Sequence, residues 1–596
     1  MPVLPGGTGM RAFRRLIPYF RPYRKGLAAG LALVVVSNAF TILGPWLIRE
    51  AIDSLSVELS RAALVRYALL IVGAALAAGA ARYGMRELLN GISRRIETDL
   101  RNDLFAHLLR LPPEFYDRWR TGDIMSRATN DVLAVRQVAG PAIMYLVNTA
   151  AIGVFALALM IWISPALTLY AMIPMAILPV AVLWFGKKIH ARFERIQAQF
   201  STVSNFAQEN LSGIRIVKAY GREADQARRF EGLNQEYMGL NMDLAKVWGG
   251  FYPSLQLLGG LGAVVVLWLG GREIIDGSIT VGDYIAFGFY LTLLMWPMIA
   301  VGWVTNLFQR GAASMRRIDD LFEEPAVIRD PVRPVEVDGL RGEIAFEDVW
   351  FRYPGTERWV LEGLSFRIAA GQTVAVVGAT ASGKSTLARL IPRLYDVTRG
   401  AVRVDGIDVR DLPLADLRAA VAMVPQDPFL FSESLRRNIA PPDEGAKTGE
   451  AASEAARLSA AVEIAALAEA LDDLPDGIDT VLGERGINLS GGQKQRATIA
   501  RALHRDAPVL ILDDALSAVD TVTEEKILRG LRGYMRGRTS IVVSHRVSAV
   551  AGADLILVLE DGRLAESGTH AALLARGGVY ARLLERQLLA EELEAT

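Results

Sequence analysis

The chain has 596 residues, 52% of them hydrophobic, and a mean hydropathy of +0.26. It is too long for one ordinary core, and the apolar excess belongs in membrane spans rather than throughout a soluble body. Lysine plus arginine and aspartate plus glutamate both total 65, so no basic imbalance favours a nucleic-acid partner; the lack of cysteine excludes disulfides, thiolate zinc sites and thiol nucleophiles, and five histidines leave little room for a His-rich metal site.

The N-terminal stretch MPVLPGGTGMRAFRRLIPYFRPYRKG places basic residues ahead of the first apolar run, as a signal peptide does. That run is as long as a full span and ends in no small-residue cleavage site, so it reads as a retained anchor. Six apolar stretches lie near 26–48, 62–83, 139–163, 167–185, 247–270 and 282–306. Each has roughly the 20 residues needed to cross the hydrocarbon core. Any one alone could be a buried core helix; six in series predict a membrane domain.

Orientation follows from the connections. The 1–2 loop carries Arg49 and Arg61, the 3–4 turn is little more than Ser164-Pro165, and the 5–6 loop carries Arg272. The 2–3 connection holds Arg86, Arg94, Arg95, Arg101, Arg110, Arg118, Arg120, Arg127 and Arg136, and the N-terminus adds Arg11, Arg14, Arg15, Arg21, Arg24 and Lys25. Positive residues stay inside, so the N-terminus, the long loops and the C-terminal half are expected in the cytoplasm.

Ile92, Ile96, Leu100, Leu104 and Leu108 recur every four residues, one face of a helix that continues out of the second span. Some 25 further residues would project roughly 35–40 Å. The 4–5 connection, about 186–246, has no proline and also reads as helix. Asn38, Asn148, Asn306 and Gln256 are candidate cavity residues or ordinary helix–helix hydrogen-bonding groups, and Trp46, Trp162 and Trp184 read as interfacial anchors.

After Phe322 the proline-rich EEPAVIRDPVRPVEVDGLRG reads as a linker, dividing the chain into a membrane domain (1–322), a linker (323–342) and a C-terminal domain (343–596). From Glu343, short runs IAFEDVWF, TVAVVG, VAMV, VLILDD, TSIVVS and LILVLED alternate with helical segments, which predicts an α/β domain with a largely parallel sheet. The fold class is thus an all-α six-helix transmembrane domain with long cytoplasmic helical extensions, followed by an α/β phosphate-loop domain.

The strongest chemical signal is Gly378-Ala379-Thr380-Ala381-Ser382-Gly383-Lys384-Ser385, running into Thr386. This G-x-x-x-x-G-K-S loop follows the strand TVAVV and opens a helix, the context in which backbone amides cradle phosphates. Lys384 would reach the β/γ-phosphates and Ser385 would ligate Mg²⁺. Val509–Leu512 followed by Asp513 and Asp514 is a buried strand ending in two carboxylates; the first would hold Mg²⁺ and the second would polarise the attacking water. Leu489-Ser490-Gly491-Gly492-Gln493 places a hydroxyl and bare amides at the start of another helix.

With these motifs in order, the C-terminal 250 or so residues resemble an ATP-binding cassette, and nearly the whole chain resembles an exporter half-transporter with its membrane domain fused in front. The resemblance implies that Tyr353 stacks on adenine, that Gln426 links Mg²⁺ to the membrane domain, and that His545 is a switch histidine on the γ-phosphate. Gly483-Glu484-Arg485-Gly486 and Ser517–Asp520 resemble the exporter-specific segment and the D-loop, and 115–132 and 209–220 resemble the two cytoplasmic loop regions. It also implies a bacterial inner-membrane location, a lipid bilayer environment, and a hydrophobic or amphipathic, lipid or peptide substrate. One cassette is incomplete alone, because its phosphate loop faces the LSGGQ of a second.

The departure is Asp514, where the family usually has Glu. The carboxylate is withdrawn by one methylene, about 1.5 Å, so hydrolysis in this site is expected to be slow with ATP binding intact. The pattern DDALSAVD resembles the Asp-bearing subunit of heterodimeric bacterial exporters, whose intact LSGGQ completes the partner's active site. The alternatives are a homodimer in which Asp514 is competent, or an ATP-binding regulatory or channel-like membrane protein.

Overall fold

The computed structural model describes residues 13–57, 60–442, 451–544 and 550–595. They form two units: one runs to Leu109 and resumes over Thr121–Glu324, and the other joins Arg110–Arg120 to Pro325–Thr596.

The first unit holds six helices long and apolar enough to cross a membrane: Ile17–Leu55, Arg61–Leu108, Thr121–Ile163, Pro165–Ser212, Glu223–Ile275 and Val281–Glu323. Each predicted apolar stretch lies within one of them. The face Ile92, Ile96, Leu100, Leu104 and Leu108 is buried, as its spacing requires, and the second helix continues without a break to Leu108. Ser164-Pro165 suffices as a turn because the Ser164 hydroxyl accepts from the Leu167 amide at 3.1 Å while Pro165 takes the first helical position. The 4–5 connection differs from one continuous helix. The chain breaks at Gly213, runs through a short helix Ile214–Ala219, and turns again at Gly221, whose φ of +61° favours glycine.

Polar groups tie these helices at both ends. Thr280 and Asp283 form a capping box at the start of the sixth helix, and the Asp283 carboxylate lies 2.6 Å from the Arg49 guanidinium of the first. That guanidinium lies 4.9 Å from the ring centroids of both Trp46 and Trp162, so these two tryptophans also cage a cation. Toward the other end, Asp131 is 3% exposed and accepts from the Ser314 hydroxyl and the Arg317 Nε, both at 2.8 Å, joining the third and sixth helices. Asn38 is buried and donates to the Asn148 carbonyl at 3.5 Å, a helix–helix contact.

The second unit contains two sheets. Strands β1 (Ile344–Phe351), β2 (Leu361–Ile368), β4 (Arg399–Val404) and β5 (Ile407–Asp408) form an antiparallel sheet ordered β2-β1-β4-β5. Strands β3 (Thr373–Gly378), β6 (Val421–Val424), β7 (Val509–Asp513), β8 (Thr539–Val543), β9 (Leu555–Glu560) and β10 (Arg563–Gly568) form the sheet β10-β9-β3-β8-β7-β6. It is parallel except for β10. β7 and β8 are buried along their whole length, the near-continuous apolar run expected of strands covered on both faces. The order β3-β8-β7 brings the phosphate loop and the two aspartates to the same C-terminal edge, where α/β sheets bind ligands.

Candidate functional site

At the end of β3 the chain turns through Gly378–Gly383 into the helix Lys384–Leu390. Two glycines are dictated by close approach. A Cβ at Gly378 would lie 2.2 Å from the Leu559 carbonyl, and one at Gly383, where φ is +98°, would lie 2.5 Å from the Leu361 side chain. Lys384 Nζ donates to the carbonyls of Gly378 and Ala379 at 2.9 and 2.8 Å. Burial pushes the pKa of this amine down, against the opposing charges of Asp514 and Asp513.

Asp513 ends β7 opposite Val543 of β8 and is 1% exposed. Its Oδ1 accepts from the Ser385 hydroxyl at 2.8 Å, whereas its Oδ2 is buried with no hydrogen-bond partner among the described residues. Burial raises the pKa of this carboxyl in spite of Ser385, Arg389 and Lys384. A buried, unsatisfied carboxylate oxygen beside a hydroxyl is a donor set that fits a hard divalent cation, which would take its other ligands from water and phosphate. Asp514 follows with φ +50°, its amide donating to the Val543 carbonyl at 2.9 Å.

These groups share one cleft of about 880 Å³. Gly378, Thr380, Ala381, Ser382, Gly383, Lys384, Ser385 and Thr386 line it, together with Tyr353, Gln426, Asp513 and Asp514. Ala379 contributes its carbonyl to Lys384. The Tyr353 hydroxyl lies 3.1 Å from Thr386 Oγ1, and its ring is edge-on to Phe351 and Tyr395. The volume suits a ligand of nucleotide size. His545 lies outside the described residues.

Ser490, Gly491, Gly492 and Gln493 do not line this cleft. Ser490 caps the helix Gly491–His504 in a capping box: its hydroxyl accepts from the Gln493 amide at 3.3 Å, and Gln493 Oε1 accepts from the Ser490 amide at 2.9 Å. Buried Gln495 donates to Ser517 Oγ and accepts from the Ala518 amide, both at 2.9 Å, fastening this helix to the segment after Asp514. Asp520 caps the next helix, Thr521–Met535, and the amide hydrogen bond from Thr523 holds its carboxyl below the usual range.

Sequence reasoning missed other cleft residues: Arg358, Trp359, Val360, Glu362, Ser544, Asp561 and Gly562. The Asp561-Gly562 pair between LILVLE and RLAESG is a readable hairpin signal. The Glu362 amide donates to the Gly562 carbonyl at 2.8 Å, bringing that turn to the cleft. Arg358 and Trp359 carry no comparable signal.

Comparison with known proteins agrees with this geometry. Residues 27–298 match the ABC transporter transmembrane region, and residues 361–517 match the ABC transporter family. The multidrug resistance-like ATP-binding protein MdlA of Escherichia coli is 37% identical over 98% of both chains. An ATP-dependent lipid A-core flippase of Syntrophus aciditrophicus is 34% identical over 98% of this chain and 95% of its own. A solved bacterial Atm1-family ABC exporter with ATP bound has a TM-score of 0.75 and 30% identity, covering 95% of this chain and 99% of that one. The chain therefore belongs to the ABC transporters: it is a multi-pass membrane exporter with a cytoplasmic nucleotide-binding domain that hydrolyses ATP to drive transport.

Proposed function

We propose that this chain is the slow-site subunit of a heterodimeric exporter, binding ATP at its own cleft and lending Ser490–Gln493 to the active site of a different half-transporter. Tyr353 takes the adenine, residues 378–386 and Lys384 take the phosphates, and Ser385, Asp513 and Gln426 hold Mg²⁺, which neutralises phosphate charge when bound. Asp514 is the catalytic carboxylate of this cleft, and by the family resemblance His545 is its catalytic partner. The observation that carries the reading is the placement of Asp514. Its amide is bonded to β8, so the main chain at this residue is tied to the sheet while its carboxylate is one methylene shorter than that of Glu. The position of Ser490–Gln493 outside the cleft supports a composite site that needs a second cassette.

ATP draws two cassettes together, and the membrane helices respond to the difference in ATP affinity between the two states. The names of the relatives, one for multidrug resistance and one for lipid A-core flipping, support a hydrophobic or amphipathic substrate, lipid or drug. Affinity-tagged chain expressed in its own cell and examined by native mass spectrometry should carry a second, different half-transporter at one-to-one stoichiometry. Recovery of a dimer of this chain alone would overturn the heterodimer.

A further inference from the structure

Between the fourth, fifth and sixth spans lies an apolar cavity of about 250 Å³. Met175 of the fourth span, Val266 of the fifth and Leu291 of the sixth form its floor, and all three are buried. Glycines make the room. A Cβ at Gly259 would lie 2.9 Å from Met295 Cε, and one at Gly262 would lie 3.0 Å from Met175 Cε, so two methionine side chains reach across where a larger residue would meet them. At Gly288, which also lines the cavity, a Cβ would meet nothing within 4 Å; this glycine faces the empty space itself. The fifth span widens here into a π turn, Val266–Gly270, a distortion that recurs at functional sites. The Thr292 hydroxyl on the cavity wall is spent on the Gly288 carbonyl at 3.0 Å, which leaves the lining almost wholly apolar.

Depth and length select the occupant. The sixth span starts at the outer side of the membrane, so the stretch Tyr284–Met295 that lines the cavity runs from the outer interface toward the midplane. At about 1.5 Å per residue it covers about 16 Å, close to the ~15 Å thickness of one leaflet's hydrocarbon. At the outer end the Tyr284 ring lies against Gly270, where an aromatic residue sits at headgroup level. The mouth, at exposed Ala263 and Thr292, is continuous with the exposed apolar surface of Val264, Leu267 and Phe289 on the same two helices. Pockets for drug-sized ligands hold roughly 300–1,000 Å³, so this one is narrow for such a molecule and suits a single chain. Left empty, it would forfeit dispersion contacts along its whole lining. We propose that this cavity is a lipid site that takes one acyl chain of an outer-leaflet phospholipid, with the headgroup beside Tyr284. The flexible Met175 and Met295 side chains mould to the chain. The site stands whether the partner half-transporter is like or unlike this chain.

Photolabelling of the full-length transporter in vesicles of phosphatidylethanolamine and phosphatidylglycerol tests this, with a phosphatidylethanolamine carrying a diazirine in one acyl chain as probe and the labelled peptides mapped by mass spectrometry. In wild type, labelling of 259–266 and 284–295 should saturate at a low fraction of probe. The exposed second-span residues Leu69 and Leu76 should instead label in proportion to probe. Gly288→Leu, whose added Cβ meets no neighbour within 4 Å, should abolish the saturating component and leave second-span labelling unchanged. Gly260→Leu adds the same bulk outside the cavity and should change neither. Nucleotide binding by each variant checks its folding, and Gly288→Ala gives the same reading at smaller amplitude if leucine is not tolerated. Labelling of the cavity that rises linearly with probe, or a saturating component that survives Gly288→Leu, overturns the site. No labelling there while the second span labels overturns it too, and means that a partner chain covers the cavity.

Discussion

Asp514→Glu is expected to raise ATP turnover at this chain's own cleft by about 10- to 100-fold with ATP affinity unchanged within about twofold. Replacing Asp by Glu advances the carboxylate by one methylene, about 1.5 Å, toward the water it must orient. A 1 Å misplacement of a reacting group can cost on the order of 100-fold, and a positioned general base typically contributes about 10²–10⁴-fold. The Asp514 amide is tied to the sheet by the Val543 carbonyl at 2.9 Å, so the extra methylene is the direct way to lengthen the reach of this carboxylate. The measurement is steady-state phosphate release with the partner's catalytic carboxylate neutralised, so that only this cleft is read. A rise of less than about twofold would show that side-chain length is not what limits the site.

Lys384→Ala should weaken ATP binding by about 10- to 100-fold, the loss of one charge-assisted contact worth about 1.5–3 kcal/mol. The Lys384 amine bonds to two loop carbonyls and is half-buried, with its positive charge turned into the cleft beside Asp513 and Asp514. Phosphates entering the cleft would replace those carbonyls as its partners. Lys384→Arg should not restore affinity, because a planar guanidinium cannot take the place of a compact ammonium inside the loop. Fluorescent-nucleotide titration reads the affinity, and thermal unfolding without nucleotide checks that the domain still folds. An affinity within twofold of wild type would remove Lys384 from the phosphate site.

Much of the architecture was readable because the strongest signals are local. Spans announce themselves by length and apolarity, and the central strands TVAVVG, VLILD and TSIVV by their near-continuous apolar runs, as burial on both faces requires. Strands β2, β4, β5 and β10 escaped notice. LEGLSFRI and RGAVRV belong to a sheet whose faces are unevenly covered, so buried Leu361, Leu364 and Ile368 are interleaved with polar residues, and RLAESG is a half-exposed edge. The helix break at Gly213 was hidden because a single glycine is tolerated within a helical pattern.

The phosphate-loop residues and the aspartates were legible because their chemistry needs fixed spacing. The contacts that complete the cleft were not, since Val360 and Glu362 reach it through the Gly562 turn, some 200 residues away in sequence. Tyr395 sits in RLIPRLYD with nothing nearby to distinguish it from a core aromatic. Its hydroxyl bonds to Asp117, which is separated from it by 278 positions and follows a membrane helix in the chain. Pairings of that kind are tertiary facts, and no periodicity encodes them.

A cleft that binds ATP but hydrolyses it slowly, in a chain that works with an unlike partner, has a direct signature in turnover. Its most direct test is the ATPase rate of this chain purified alone in lipid, set beside the rate of its complex with a second half-transporter from the same cell. Near-background hydrolysis is expected from the chain alone and full activity from the pair, with Ser490→Ala in this chain depressing the activity of the pair. Brisk hydrolysis by a homodimer would make Asp514 a competent catalytic residue and contradict the account.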